Sequence, residues 1–509
     1  MKPIKIIFAV AIVVRIAGIW IPQLWYDENF TLILARLPFD RMIAATAGDV
    51  HPPLWYLIEW MWIRLFPDPI LAPAWTLRIP SLVFSLLALY AAHLVFFELE
   101  VPKKIHLGAL ALMAILPMQI WYAQEARMYA LLELEVLLAL LFALRGQWLA
   151  LFITSTAMLY TQNYGVFYLA CIGIVVFLRD VTHVSQAYRL FGVTPKWQAF
   201  TKTLYIGLAM LGASLLYMVS WFGVMQDQMH IINGRYWIQE QSIGDVLNIL
   251  YKLFWGSSMP SFALLSALMI TFMAISVGLL HMAHETHAAK PAIIIMAFGP
   301  LLIAWIVSTL WQPILLHRPL IGTAPFLYVI AAWSFGRLFE REQIKSWREA
   351  SIAAALVVPV MVSGVGGYFK NIPDMKSDGA ISPLTSALDY VRAHWQDGDV
   401  IYYTDDGPMI NLSPYASELP QFMMSACGDR LNAGPVLGSL SPATRAAIGI
   451  PLAELNEINY RRAWVFAPRS PLHPVCYEEQ IAPYTPGDPL IVVDDNIFIE
   501  SGVWLVVEK

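Results

Sequence analysis

Charged residues are scarce in this sequence. Asp, Glu, Lys and Arg make up 14% of its 509 residues, whereas soluble domains have about a quarter. Apolar side chains account for 58% of the chain, and the mean hydropathy is +0.59. This composition excludes an ordinary soluble enzyme or binding module and indicates a polytopic membrane protein.

Two further features are missing. No basic stripe accompanies the net charge of -5, which argues against a nucleic-acid partner. The N-terminal apolar run, residues 4–25, lacks a small-residue cleavage site. We therefore interpret this run as a retained first span and not as a signal peptide.

Apolar runs of about 20 residues, the length that a membrane span requires, recur along the first three quarters of the chain. They predict eleven transmembrane helices, of which the fifth and sixth are short. The predicted spans are 4–25, 79–97, 105–122, 128–144, 147–161, 164–178, 203–224, 262–283, 291–311, 319–336 and 350–369.

Cationic residues in every second loop between these spans predict the orientation of the chain. They are Lys103, Lys104, Arg145, Arg179, Arg189, Lys196, Lys202, Lys290, Arg337, Arg341, Lys345 and Arg348. All of them fall on the side that holds Lys2 and Lys5, as the positive-inside rule requires of a cytoplasmic face. The N-terminus is therefore predicted inside and the C-terminus outside.

The first outer loop, residues 26–77, is long and amphipathic. Its stretch HPPLWYLIEWMWIRLF at 51–66 is short, carries Glu59 and Arg64, and opens with two prolines. We place it as an interfacial helix that lies flat in the outer membrane surface. Counting it as a span would move Lys103 and Lys104 to the outside.

Polar side chains from distant segments collect on the predicted outer face. They are Asp27, Glu28, Asp49, His51, Arg78, Tyr122, Gln124, Glu125, Arg127, Gln162, Asn163, Tyr164, His317 and Arg318. Arginines on this face oppose the positive-inside trend, and a lipid phosphate would explain them because a guanidinium binds phosphate at two points. The alternative for each arginine is snorkelling or an ion pair with a nearby acid.

Four motifs in order carry a resemblance to a known family. They are WYDENF at 25–30, HPPLWY at 51–56, LRIPS at 77–81 and IWYAQEARMYALL at 120–132. Together they resemble the bacterial glycosyltransferases related to protein O-mannosyltransferases, in the GT-C class that includes lipid A aminoarabinose transferases. LHRPLIGTAPFL at 316–327 is similar to the arginine-bearing late loop of that family. The resemblance covers roughly residues 1–370.

The resemblance implies an inverting transfer of a sugar from a polyprenyl-phosphate donor to an acceptor on the extracytoplasmic face. Asp27 matches the general base of the family. Glu28 and Glu125 would position the acceptor or the sugar, or act on Asp27 through like-charge repulsion. Arg78 and Arg318 would hold the leaving phosphate.

Several roles stay open within this reading. Arg127 joins the phosphate site or orients Glu125. His51 positions substrate or fixes its loop, and Tyr122, Gln124 and Asn163 are candidates for positioning substrate.

Metal dependence is a separate question. Asp27, Glu28, His51 and Glu125 offer oxygen and nitrogen ligands, but no spacing such as H-E-x-x-H is present. We predict that no metal or other cofactor is required, and a divalent ion remains the alternative.

Residues 371–509 differ in character from the predicted membrane domain, residues 1–370. Charged residues, Pro and Gly become frequent, and DVIYYTDD, RAWVFAP, LIVVDD and VWLVV predict strands. The segment from Pro383 to Trp395 predicts a helix. We expect an extracytoplasmic α/β domain that recognises the acceptor or forms a lid. Cys427 and Cys476 lie in it, either as a disulfide or as two buried thiols.

Two rival functions remain. A transporter or flippase of lipid-linked sugars would carry ionisable residues near the bilayer midplane, whereas we expect these spans to be nearly free of charge, with the charged residues clustered at one rim. A non-catalytic binding subunit could have lost the acids and arginines freely. The predicted location is the bacterial inner membrane, with the active site facing the periplasm or cell exterior. The acceptor, whether protein, lipid or glycan, and the sugar are left open.

Overall fold

The computed structural model describes most of the chain. The described residues are 2–20, 24–66, 74–191, 198–232, 242–256, 261–336, 362–366, 383–404, 406–424, 440–453, 455–468, 491–494 and 500–507. The chain forms two compact units. The first comprises Met1–Ala17, Arg78–Phe222 and Glu240–Lys370, and the second comprises Gly18–Leu77, Gly223–Gln239 and Asn371–Lys509.

Helices build the first unit. They are α1 (Lys2–Ile16), α5 (Ile79–Glu98), α6 (Lys103–Ile115), α7 (Pro117–Ala123), α8 (Tyr129–Arg145), α9 (Trp148–Thr161), α10 (Gly165–Phe191), α11 (Gln198–Ser220), α13 (Ile243–Trp255), α14 (Ser261–His284), α15 (Lys290–Leu310) and α16 (Ala324–Gly336). Each predicted span up to residue 336 overlaps one of these helices or the α6–α7 pair, but the span 4–25 extends beyond the end of α1 at Ile16, and the span 319–336 begins in the 3-10 turn before α16. The number of spans stays a prediction. The predicted span 350–369 lies almost wholly outside the described residues.

Several of these helices are suited to a bilayer. Among the described residues, α11, α14, α15 and the helical stretch Trp75–Glu98 are long and apolar enough to cross a membrane. Helices α6 and α7 pass the same test together, with a bend of 55° at their break. Pro117 at the start of α7 lacks the backbone N–H that a continuous helix would need, which accounts for the bend. Helix α9 is apolar but shorter.

The expectation that the spans are nearly free of charge is wrong. Glu133 and Glu135 on α8 and Arg15 on α1 are all buried. Glu133 accepts a hydrogen bond from Gln119 (2.7 Å), and Glu135 accepts one from Thr161 (2.9 Å). These neighbours take the place of water, which is how polar groups survive inside a protein core.

Arg15 has a structural task at the end of α6. Its guanidinium donates to the carbonyl oxygens of Met113 and Ala114 and to the hydroxyl of Ser85, each at 2.8 Å. The last carbonyls of a helix have no partner within the helix. Arg15 therefore satisfies the C-terminal end of α6 and connects α1 to α5.

Gly278 marks the closest approach of α14 to α16. A Cβ atom at this position would overlap the backbone carbonyl oxygen of Ile330 and lie 2.8 Å from its carbon. We expect Gly278→Ala to lower the free energy of unfolding by about 1–3 kcal/mol, because backbone on both sides must move apart. Thermal unfolding of the protein in nanodiscs measures this effect.

Gly207 on α11 is the matched control. It is also a glycine in a long apolar helix, but a Cβ atom there would have no neighbour within 4 Å. Gly207→Ala is expected to leave stability unchanged or raise it by up to about 1 kcal/mol, since Ala favours the helix. Equal unfolding temperatures for the two variants would show that the α14–α16 contact is not tightly packed.

The second unit combines helices with a mixed sheet. Its helices are α2 (Tyr26–Arg36), α3 (Phe39–Ala47), α4 (Leu54–Ile63), α12 (Phe222–Ile232), α17 (Pro383–Ala393), α18 (Asp406–Leu412) and α19 (Pro442–Ile448). Its strands are β1 (Asp399–Tyr403), β2 (Gln421–Met423), β3 (Arg462–Pro468), β4 (Ile491–Asp494) and β5 (Glu500–Val507). The order in the sheet is β2-β1-β3-β5-β4, parallel for β1 with β2 and β3, and antiparallel for β5 with β3 and β4.

The sheet region matches the expected elements closely. Strands β1, β3, β4 and β5 fall on the four segments predicted as strands, and α17 falls on the predicted helix. Strand β2 was missed because three residues carry too little alternation to be recognised. Tyr402 and Val465 pack in the apolar core of the sheet region. Cys427 and Cys476 lie outside the described residues.

The first outer loop packs against the C-terminal region in this unit. Asn29 donates to Asn411 (3.1 Å) and accepts from Tyr415 (3.0 Å), while Arg36 donates to the Pro414 carbonyl (2.7 Å). Thr444 donates to the Ala45 carbonyl (3.0 Å). By these contacts residues 18–77 group with 371–509, although the domain boundary at residue 370 stays a prediction. The region that carries the predicted base is therefore supported by residues almost 400 positions away.

Candidate functional site

Asp27 and Glu28 occupy the first turn of α2, where the positive end of the helix dipole stabilises negative charge. Glu28 is fully buried and accepts a hydrogen bond from the backbone N–H of Trp25 (3.4 Å), as a capping residue does. Asp27 is only half-buried. Of the two acids, Asp27 is the one that a substrate can reach.

His51 is oriented by its own loop. Its Nδ1 lies 3.1 Å from Oδ2 of Asp49, which also accepts a hydrogen bond from the hydroxyl of Tyr56 (3.4 Å). A carboxylate acceptor places the proton on Nδ1 and leaves Nε2 as the acceptor nitrogen of the ring. The side chain of Gln228 donates to the backbone carbonyls of Thr46 and His51 and holds the same loop. Both readings of His51 remain predictions.

Two predicted phosphate ligands lie close to each other in the first unit. Arg78 is fully buried at the start of α5, and Arg127 is nearly so in the turn before α8. The hydroxyl of Ser81, one turn along α5, donates to the Arg127 carbonyl (3.3 Å) and joins the two segments. Glu125 is fully buried beside them and accepts from the indole N–H of Trp121.

The candidates for substrate positioning are engaged with the protein itself. Gln124 donates to the carbonyls of Arg15 (2.8 Å) and Ala17 (2.7 Å), which close the end of α1. The Oδ1 atom of Asn163 accepts from the hydroxyl of Tyr217 (2.7 Å). These contacts give both side chains a structural task, and their roles toward substrate stay predictions.

A cationic cluster, formed by Lys252, His317 and Arg318, lies in the first unit. Arg318 begins the 3-10 turn Arg318–Thr323 that leads into α16, and Lys252 lies on α13. The hydroxyl of Tyr122 is 3.4 Å from Nε2 of His317. Tyr122, a candidate for positioning substrate, therefore contacts the residue directly before Arg318, a predicted phosphate ligand.

The pKa values of Lys252 and His317 reflect the positive charge of this cluster. Burial lowers the pKa of Lys252, and the charge of Arg318 lowers it further, while Asp245 opposes the shift. Burial also holds the pKa of His317 well below its usual range, with Arg318 and Lys252 adding to the effect. His317 is therefore neutral near neutral pH, and a bound anion would relieve the repulsion between the two cations.

Lys252 is the residue that sequence reasoning missed. The loop between the predicted spans 203–224 and 262–283 holds none of the site residues predicted from the sequence. A signal was present, because residues 243–255 form an amphipathic pattern in which Lys252 follows apolar positions. Ser242 and Asp245 form a capping box at the start of this helix.

Among the described residues, no three His, Cys, Asp or Glu side chains lie close enough together to hold a metal ion. The prediction that no metal is required is not tested by this arrangement.

Comparison with known proteins gives one clear result. No protein-family model and no curated protein sequence matches the chain. The fold matches that of ArnT, the lipid A aminoarabinose transferase, from Cupriavidus metallidurans. Its apo structure is similar with a TM-score of 0.57 and 13% identity over 98% of this chain and 97% of that chain. Its structure bound to undecaprenyl phosphate is similar with a TM-score of 0.59 and 14% identity over the same shares.

A more distant likeness is to the oligosaccharyltransferase of Archaeoglobus fulgidus in complex with zinc and sulfate. The TM-score is 0.48 at 12% identity, over 90% of this chain and 67% of that chain. The match to ArnT shows that the chain has the GT-C fold, and it confirms the resemblance predicted from the four motifs.

Proposed function

We propose that this protein is an integral-membrane inverting glycosyltransferase that uses a polyprenyl-phosphate-linked sugar as its donor. The observation that carries the proposal is the cationic cluster of Lys252, His317 and Arg318 on a GT-C fold. Two cations held close together suit a phosphate better than a neutral sugar. ArnT, which has the same fold, has been solved with undecaprenyl phosphate bound.

In the proposed reaction, an acceptor hydroxyl or amine attacks the anomeric carbon of the sugar from the face opposite the phosphate. The bond between the anomeric carbon and the phosphate oxygen breaks, and its electron pair stays on the phosphate. The acceptor proton passes to the Asp27 carboxylate. One bond forms, one breaks, and the configuration at the anomeric carbon inverts.

The charge of each residue indicates its part in this reaction. A half-buried carboxylate that substrate can reach is able to accept a proton, which suits Asp27 as the general base. The leaving phosphate gains negative charge in the transition state, so fixed cations stabilise it more than the ground state. Arg318 and Lys252 are placed for that task, and Arg78 and Arg127 supply further positive charge.

The proposal includes the predicted setting of the protein. Eleven spans with the N-terminus inside and the C-terminus outside place the α2 acids on the extracytoplasmic side of a bacterial inner membrane. The sheet-containing region 371–509 then faces the same side and serves acceptor recognition. The acceptor is a protein, a lipid or a glycan.

A transporter of lipid-linked sugars is the second candidate, and the buried charges on α1 and α8 are the observation that favours it. Their contacts weaken this reading. Arg15 closes the end of α6, and Glu133 and Glu135 have hydrogen-bond donors beside them. Each of these side chains has a structural task within the bundle.

The deciding experiment uses purified protein in nanodiscs with a panel of radiolabelled polyprenyl-phosphate sugars and a cell-envelope acceptor fraction. Release of free polyprenyl phosphate together with labelled acceptor from one donor is the expected result. Donor binding without turnover, in the presence of an acceptor fraction known to be competent, would favour the transporter or the binding subunit instead.

Lys252 gives a quantitative test of the phosphate site. Lys252→Gln is expected to weaken binding of polyprenyl phosphate by about tenfold to a hundredfold, the usual contribution of a hydrogen bond to a charged group. Binding is measured by displacement of labelled polyprenyl phosphate in nanodiscs. Arg318→Gln should show an effect of the same size or larger.

Lys290→Gln is the control for this test. Lys290 is a half-buried cation of the same unit at the start of α15, on the predicted inner side. Its loss changes the net charge equally but should leave the affinity unchanged. A similar loss of affinity in all three variants would mean that overall charge, and not this cluster, governs binding.

A further inference from the structure

Glu59 is the one acid of α4, and the reaction described above does not use it. Its side chain is fully buried. Neither carboxyl oxygen has a hydrogen-bond partner within the described part of the chain. An ionised carboxylate in such a place would cost several kcal/mol, so the group keeps a proton instead.

Glu28 is the charged group that acts on Glu59. Helices α2 and α4 pack together, with the rings of Phe30 and Tyr56 in edge contact at 6.0 Å between centroids. Burial raises the pKa of Glu59 well above its usual value, and the negative charge of Glu28 raises it further. Both influences act in the same direction, toward the neutral acid.

The cations around α4 are bound elsewhere. Arg36 of α2 donates to the Pro414 carbonyl, and Arg41 of α3 donates to the Ala447 carbonyl (2.8 Å). Arg64, at the end of α4, donates to the Ala35 and Leu37 carbonyls (2.9 and 3.1 Å). None of the three contributes to the pKa of Glu59.

The remaining ionisable groups on α2, α3, α4 and the loop before α4 are Tyr26, Asp27, Glu28, Asp40, Asp49, His51 and Tyr56. His51 lies against Asp49. Of this set, only Glu28 has an electrostatic effect on Glu59. No charge on the packed elements therefore favours ionisation of Glu59.

We propose that Glu59 is a positioning residue held as a neutral carboxylic acid, so that the Glu28–Glu59 pair carries one negative charge and not two. Its catalytic consequence rests on the proposed function. Asp27 lies within the turn from Trp25 to Glu28 that Glu28 caps, so the charge of the pair acts beside the predicted base. In the proposed reaction the donor reacts at that base, and an added negative charge there would repel its phosphate.

The pH dependence follows from this arrangement. As pH rises through the pKa of Glu59, the pair gains a second negative charge and KM for the donor rises. Gln mimics the neutral acid and cannot ionise. Glu59→Gln should therefore keep kcat and KM at neutral pH and lose the alkaline rise in KM.

Infrared spectroscopy tests the protonation state without any turnover. In the resting protein at neutral pH, the wild-type spectrum minus that of Glu59→Gln is expected to contain the carbonyl band of a protonated carboxylic acid, because other buried acids such as Glu133 and Glu135 contribute to both spectra and cancel. Glu418→Gln is the control, since Glu418 is an exposed acid of the same unit paired with Arg392. It should leave the band unchanged.

Stability gives a second readout with a definite sign. The unfolded chain ionises Glu59 above about pH 4, whereas the folded chain keeps the proton. The wild type therefore loses stability as pH rises from about 4 to the pKa of the folded state, and Glu59→Gln does not. The gap in unfolding temperature between the two should widen across that range.

Glu28→Gln tests the coupling and does not depend on how Glu59→Gln folds. Removing the charge of Glu28 lowers the pKa of Glu59, so the infrared band should disappear at a lower pH than in the wild type. An unchanged titration would overturn the pair. Absence of the band from the difference spectrum between the wild type and Glu59→Gln at neutral pH would overturn the neutral acid. Failure of every donor to turn over, with the band present, would refute the proposed function alone.

Discussion

Replacing Asp27 by Asn is expected to lower the rate of sugar transfer by about 10²–10⁴-fold while donor binding is retained. The amide has nearly the shape of the carboxylate, but it cannot accept the proton of the acceptor, and general-base catalysis accounts for a factor of this size. Single-turnover transfer with the donor identified from the panel measures the rate, and displacement of labelled polyprenyl phosphate measures binding.

Asp40→Asn is a closely matched control for Asp27→Asn. Asp40 occupies the second position of α3, as Asp27 does in α2, and both belong to the same unit. Each substitution removes one negative charge from a helix N-terminus, which costs about 0.3–1 kcal/mol of stability. Asp40 is exposed and has no part in the proposed reaction. Equal rates for Asp27→Asn and the wild type would remove Asp27 as the base, and an equal loss in Asp40→Asn would point to damage of the fold.

Replacing Arg445 by Leu is expected to lower the free energy of unfolding by about 3–5 kcal/mol. Arg445 and Asp406 form a buried ion pair with two hydrogen bonds, Nε to Oδ1 at 3.1 Å and Nη2 to Oδ2 at 2.8 Å. Removal of one partner of such a pair leaves the other charge buried without compensation. Chemical or thermal unfolding of the full-length protein in nanodiscs measures the loss.

The pH dependence of Arg445→Leu has a definite sign. Burial raises the pKa of Asp406, and Arg445 opposes that shift. Without the arginine the pKa rises further, so the folded variant binds a proton that the unfolded chain releases above about pH 4. The variant should therefore regain stability as pH falls from 7 toward 4.

Two further variants test whether the loss of stability in Arg445→Leu comes from the buried charge. The double variant Asp406→Asn with Arg445→Leu should recover much of the loss, because no buried charge remains. Arg392→Leu removes an arginine from the exposed pair with Glu418 and should cost no more than about 1 kcal/mol. If the double variant were as unstable as Arg445→Leu, the loss would come from packing and not from the uncompensated charge.

The helices of the first unit were predictable because each one is determined by residues that are neighbours in the sequence. The apolar run 79–97 became α5 at Ile79–Glu98, and the run 147–161 became α9 at Trp148–Thr161. The length of an apolar run and the residues at its ends determine such a helix. The four predicted strands rest on equally local patterns of β-branched and aromatic residues.

Contacts between distant segments gave no such signal. Nothing near Asn29 in the sequence indicates that its side chain meets Asn411 and Tyr415. Two acids in an apolar run have no evident place in a membrane span. Glu133 and Glu135 are explained only by their hydrogen-bond donors Gln119 and Thr161. Pairings across 14 and 26 positions need the packed structure, because hydropathy treats each residue alone.

The same limit applies to the candidate site. The motifs led to Asp27, Arg78 and Arg318, since acids and arginines at predicted span ends are conspicuous. Lys252 lies in the last turn of α13, in a loop that held none of the predicted site residues, and only the effect of Arg318 on its pKa reveals it. Glu59 was conspicuous as a charge, but its meaning depends on burial.

The sheet has a consequence for the order in which the protein is made. Strand β5, formed by residues 500–507, pairs with both β3 and β4, so the sheet is incomplete until these residues are available. Asn411 and Tyr415, whose side chains bind Asn29 of α2, lie 382 and 386 positions after it. During synthesis the helix that carries Asp27 is therefore made long before the residues that hold it in its final surroundings.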